Sequence, residues 1–194
     1  MRSKSKPTAR QIIRAVLLTL LLLVLAVIFY VSVILANPQE DENPIRNDPP
    51  LATAAPPVEM RSAADLPALL EDFPAPVLIA TDTYTLIGGG MEDVPVSGGY
   101  ARVLTLLYRS SDDHEIAIRS IWPARAEEVL DTAGWHLSAI AGQSVAGMDS
   151  LRLEKANRLR LQCQGTDALY TVESDLLNGE DLAALLQPLQ LVEP

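Results

Sequence analysis

Leu151 to Gln164 reads LRLEKANRLRLQCQ. Leu151 and Leu153 alternate with Arg152 and Glu154. After a turn around Lys155 to Asn157, Leu159, Leu161 and Cys163 alternate with Arg160, Gln162 and Gln164. Successive side chains of a strand point to opposite faces, so this pattern predicts an antiparallel hairpin with one face buried and one wet. It sets the reading of its neighbours: short strands, polar turns, and a sheet with at least one face partly covered.

Downstream, Gly165-Thr166-Asp167 turns into a strand from Leu169 to Val172. Upstream, Trp135 to Ile140 and Gln143 to Met148 read as strands. YARVLTLLY, Tyr100 to Tyr108, is apolar on both faces in its second half, which marks a central strand. Ser110 to Asp113 turns the chain and Glu115 to Ile121 brings it back. Val77 to Ala80 and Tyr84 to Ile87 are short strands, with Gly88-Gly89-Gly90 as a turn. Three apolar stripes follow helical spacing instead. Leu66, Leu69, Leu70 and Phe73 follow Asp65 as N-cap and stop at Pro74. Ala126, Val129, Leu130 and Ala133 follow Pro123, with Gly134 as a left-handed cap. Leu182, Leu185, Leu186 and Leu189 follow Asn178-Gly179-Glu180-Asp181 and are broken by Pro188. The expected fold is an α+β domain over residues 65–194, a curved antiparallel sheet with about three short helices.

Before this domain lie three segments of different physics. Residues 37–64 carry six prolines, several acids and almost no bulky apolar residue, which predicts a disordered linker. Extended, it would hold the domain up to about 85 Å away. Residues 15–36, AVLLTLLLLVLAVIFYVSVILA, carry no charge. As a helix they reach about 33 Å, against a hydrocarbon core about 30 Å thick, so they read as one transmembrane helix. Ile34-Leu35-Ala36 puts a large residue three positions before any cut after Ala36, so the helix is expected to remain as an anchor. Residues 1–14 are a basic tail with Arg2, Lys4, Lys6, Arg10 and Arg14 and no acid. All 25 acids follow the span, against ten Lys and Arg, so the outer part carries −15. The positive-inside rule then predicts a cytoplasmic N-terminus and an extracytoplasmic domain in the cell membrane. So acidic a domain is not expected to bind nucleic acid.

No chemistry-bearing constellation emerges, so the reading is no enzyme and no cofactor. Gly142-Gln143-Ser144-Val145-Ala146-Gly147 approaches the G-x-S-x-G nucleophile elbow, but that elbow needs a helix after the serine and a later histidine. Both His114 and His136 come earlier. Asp112-Asp113-His114 is read as a polar turn, because a metal needs three or four converging ligands. Glu127 and Glu128 are adjacent on a helix and do not share a face. Cys163 shares its strand face with Leu159 and Leu161, so it should be a buried thiol. Arg152, Lys155, Arg158 and Arg160 put four of the outer part's ten cations on one hairpin, a candidate contact for an anionic partner.

Several stretches resemble a bacterial family: VLTLLY followed by a polar turn and EIAIRSI, AGQSVAG, LRLQCQGTDALYTVES, and the closing NGEDLAALLQPLQL. This is the extracytoplasmic domain of unknown function found C-terminal to the transmembrane helix of anti-sigma-factor-like membrane proteins. The resemblance implies a shape related to periplasmic lipoprotein carriers, with a curved sheet and a lipid-binding face. It supplies no catalytic residues. The fourteen-residue tail is too short to hold a zinc-type or helical anti-sigma domain. The expectation is a non-enzymatic membrane-anchored sensor, regulator or envelope-interaction protein with a protein or envelope partner outside the cytoplasm. A carrier of an apolar ligand is the second reading, and a serine hydrolase the third.

Overall fold

The computed structural model describes residues 45–81, 83–175 and 179–194, without the side chains of 139–143 and 179–181. The basic tail, the expected span, residues 37–44 and Asn178 lie outside the described residues. Among the described residues no helix is long and apolar enough to cross a membrane. In chain order the elements are β1 (Val58–Glu59), α1 (Leu66–Asp72), β2 (Val77–Ala80), β3 (Tyr84–Val96), β4 (Gly99–Ser110), β5 (Glu115–Trp122), β6 (His136–Val145), β7 (Met148–Lys155), β8 (Arg158–Gln164), β9 (Leu169–Asp175), α2 (Gly179–Leu186) and β10 (Leu189–Val192). Eight strands form one antiparallel sheet in the order β1-β3-β4-β5-β9-β8-β7-β6, and β10 pairs with β2 in a two-stranded one.

YARVLTLLY does become an interior strand, hydrogen-bonded by β3 and β5 along its length. Its even residues Leu104, Leu106 and Tyr108 share a face with Ile116 and Ile118 of β5, Tyr170 and Val172 of β9, and Leu159, Leu161 and Cys163 of β8. Against this inner face pack Leu69 of α1 and Phe73 just beyond its end, Val77 and Leu78 of β2, Leu182 and Leu185 of α2, and Leu189 of β10. Packing is closed: Leu104, Leu106 and Ile118 are each 1 % exposed. Polar groups also tie the layers. The Tyr170 hydroxyl donates to the Pro76 carbonyl at 2.8 Å, and the Leu78 amide donates to Ser120 Oγ at 3.1 Å.

The fold class is corrected from α+β with about three short helices to mostly antiparallel β-sheet, with two α-helices among the described residues. The first and third stripes form α1 and α2 except at their last residues: Phe73 lies just past α1 in extended backbone, and Leu189 opens β10. The second does not: Pro123 to Ala133 keeps only a single 3-10 turn at Glu127–Val129. Ala126 and Leu130 are apolar because they cap the outer sheet face over Ala101, Val103, Ile121 and Leu169. The helical path is interrupted at Asp131. Its carboxylate accepts the Ala133 amide at 2.9 Å, and its carbonyl accepts from Arg160 at 2.7 Å. A short side chain bonding its own backbone competes with the helix ladder. Gly134 is left-handed (φ 75°), but it closes a turn rather than a helix.

Gly88-Gly89-Gly90 is not a turn but the middle of β3. A Cβ on Gly90 would stand 2.8 Å from the Val58 carbonyl oxygen, and one on Gly89 would press on β4. The glycines are there so that β1 and β4 can approach.

From Ile45 onward the proline-rich stretch is not the loose spacer its composition suggested. Its prolines carry no amide to satisfy, and the amides between them find acceptors on the domain. The Arg46 amide donates to the Thr166 carbonyl at 2.8 Å. Leu51 and Tyr100 exchange two bonds, and the Met60 amide donates to the Gly89 carbonyl at 3.0 Å. The Ala55 amide donates to the Asp93 carboxylate at 2.7 Å. That carboxylate, 2 % exposed, also takes Arg102 Nε at 2.9 Å and Nη2 at 3.1 Å. The Arg102 guanidinium, helped by the Ala55 amide, holds the Asp93 carboxyl below the ordinary value. A depressed folded pKa contributes stability above the unfolded value of about 3.9, and that stability is lost as pH falls through the folded one. We expect Asp93→Asn to cost about 1–3 kcal/mol at pH 7. The variant should also lose less stability than the parent on acidification below about pH 4. Urea unfolding at pH 7 and pH 3 checks both; an unchanged acid limb would contradict the assignment.

Candidate interaction surface

The outer sheet face is only half covered, and register decides what it shows. One row across it joins Leu107 of β4 to Ala117 of β5, then Glu173 of β9 and Arg160 of β8. The row continues through Leu153 of β7 to Leu137 of β6. It is therefore charged in the middle and apolar at both ends. Leu107 is 41 % exposed, with Ile87 at 44 % beside it; at the far end Leu137 and Leu151 are 51 % and 41 % exposed.

The centre is an ionic cluster around Glu173. Arg160 approaches it with Nε and Nη2, both at 2.9 Å; Arg158 lies at 3.7 Å and Arg119 at 3.9 Å. Arg160 is buried, which its place on the expected wet face did not predict. The indole of Trp135 stacks on its guanidinium at 4.1 Å and removes it from water. Lys155 lies 5.9 Å from the same ring centroid and 3.7 Å from the Asp131 carboxylate.

The four cations singled out as a partner contact are thus divided. Lys155, Arg158 and Arg160 lie on the outer face. Arg152 pairs in register with Leu161, on the other side of the sheet, and its Nε holds the Glu154 carboxylate at 2.9 Å. Each has an acidic partner within the chain. What brings the outer three together is Glu173, Asp131 and Trp135, distant in sequence. No local pattern flags Glu173 or Trp135, and only the strand order puts them over β8.

At the Leu107 end the face opens into a cleft of about 330 Å³. Ile87, Leu107 and Ala117 form its apolar side. Asp113, Glu115 and Asp175 rim it, with Arg158. Arg109 holds Asp113 at 3.4 Å and also pairs with Glu115. Asp175 has no ion pair among the described residues. A smaller cleft of about 160 Å³ opens at the same end of the sheet, between Tyr84, His114, Asp175 and Leu185. Neither is lined by Leu104, Leu106 or Ile118.

Ser144 is an exposed strand residue followed by the hairpin turn at Ala146 and Gly147, without the helix an elbow requires. His136 pairs with Glu154 and Ser144 with Asp149, five residues along β7, a separation of about 17 Å. Asp112-Asp113-His114 is a turn between β4 and β5. Among the described residues no group of three His, Cys, Asp or Glu is placed to hold a metal. Cys163 is fully buried on the inner face, and burial pushes its thiol up to about 12. The thiolate is the reactive form, so we expect no maleimide labelling of the folded chain at pH 7 and full labelling in denaturant. Rapid native labelling would mean that the inner face opens. Comparison of the chain with protein-family models, curated proteins and solved structures finds no match in any of the three.

Proposed function

We propose that the chain is a membrane-anchored, non-enzymatic protein whose extracytoplasmic domain binds another protein or envelope component as a sensor, regulator or assembly factor. The observation that carries this reading is the contrast between the two sheet faces. The inner face is closed by α1, β2, α2 and β10, while the outer keeps exposed leucines at both ends of a charged row. Apolar groups left in water at a sheet face are a mark of association surfaces. The carrier reading asked for a cavity beside Leu104, Leu106 and Ile118, and closed packing there favours interaction instead.

The test is site-specific photo-crosslinking in native membranes. A photoreactive residue at Leu107 or Leu137 should yield a discrete adduct. The same residue at Ser62, an exposed position away from this face, should not. Adducts from none of these positions, or equally from all, would overturn the reading.

A further inference from the structure

The cleft at the Leu107 end has features that narrow the partner's chemistry. Its apolar side offers Ile87 and Leu107, both more than 40 % exposed, with room for one branched side chain in about 330 Å³. Its rim is acidic at three positions. Two of those acids share Arg109, while the Asp175 carboxylate, which faces Arg158 across the strands, forms no salt bridge among the described residues. The one cation on the rim, Arg158, is drawn toward Glu173 at 3.7 Å. An incoming cation at Asp175 would therefore complete an ion pair without breaking one. An incoming anion would meet the acids first. The surrounding field has the same sign, since residues 45–194 hold 22 acids against ten Lys and Arg.

We propose that this cleft docks a peptide segment in which a leucine-like side chain is flanked by lysine or arginine. The apolar side chain lies on Ile87 and Leu107, and the cation pairs with Asp175. The proposal rests on the interaction reading above and specifies its partner. Apolar contact supplies affinity, while the acidic rim supplies selection and on-rate.

The probe is a fluorescein-labelled, N-acetylated octapeptide of glycine and serine carrying one central leucine between two lysines. It is titrated by anisotropy against the full chain in nanodiscs of zwitterionic lipid at low ionic strength. Saturable binding is expected, at least tenfold weaker for Leu107→Lys and about fivefold weaker for Asp175→Lys. Leu191→Lys, at an exposed leucine on β10, should bind as the parent does. A peptide with glutamate in place of lysine should bind at least tenfold more weakly. Absent binding, equal binding of the acidic peptide, or parental binding by Leu107→Lys and Asp175→Lys together would each overturn the proposal. Circular dichroism of each variant separates lost docking from lost fold. If the probe fails while crosslinks at Leu137 persist, the interaction reading stands and this partner chemistry falls.

Discussion

Tyr170→Ala is expected to destabilise the domain by about 3–5 kcal/mol, and Tyr170→Phe by about 1 kcal/mol. Tyr170 is 2 % exposed and stands where the inner sheet face meets the segment leading into β2. Truncation removes a ring from the closed core and leaves the Pro76 carbonyl without its donor. The phenylalanine variant loses only the hydrogen bond. Urea unfolding followed by tryptophan fluorescence reads both, since Trp122 and Trp135 are the chain's two tryptophans and both lie in this domain. A cost below about 1.5 kcal/mol for the alanine variant would mean that the inner face can collapse or was never sealed. The carrier reading would then regain its cavity.

Arg160→Ala should cost about 3–5 kcal/mol, the range for breaking a buried ion pair by removing one partner. Arg160 gives up its contacts with Glu173, the Asp131 carbonyl and the Trp135 ring together. Glu173 stays largely buried, with only the longer approaches of Arg158 and Arg119. Replacing both partners by methionine should recover most of the loss, because no buried charge is then stranded. The fluorescence of Trp135 should shift in the single variant. A loss under about 1 kcal/mol would place Arg160 with ordinary surface arginines and dissolve the charged centre of the outer face.

How much of this was legible turns on a few residues. The Leu151–Gln164 hairpin was readable as a hairpin, and its faces were not. A three-residue turn at Lys155 to Asn157 would pair Leu153 with Leu159 and put every leucine on one side. The actual turn is two residues, Ala156 and Asn157, so Lys155 pairs with Arg158 and Leu153 with Arg160. One residue of loop length changes the parity of the pairing. The leucines of β7 therefore join the outer face, while those of β8 stay in the core. The exposed end of the interaction surface follows from that shift.

Gly88-Gly89-Gly90 misled for a different reason. Glycine is used in turns for its backbone freedom, but here it is used for the missing side chain, and only the neighbouring strands reveal which. Leu130 and Ala126 fit a helical stripe as well as they fit a cap over Ala101 and Ile121. The bonds at Asp131 decided between them. Cys163 was legible from period-two alternation alone, and the central strand from a run that is apolar on both faces. The cleft depends on which strand neighbours which, and no short window of sequence holds that.

The most direct test of topology uses the chain's own lone thiol as a blank. With Cys163 buried and unreactive, Ser111→Cys in the exposed turn between β4 and β5 becomes the single reporter. Intact cells are treated with a membrane-impermeant maleimide, before and after lysis. The account predicts full labelling in intact cells, no increase on lysis, and all of the protein in the membrane fraction. Labelling only after lysis, or recovery of the domain from the medium, would contradict it.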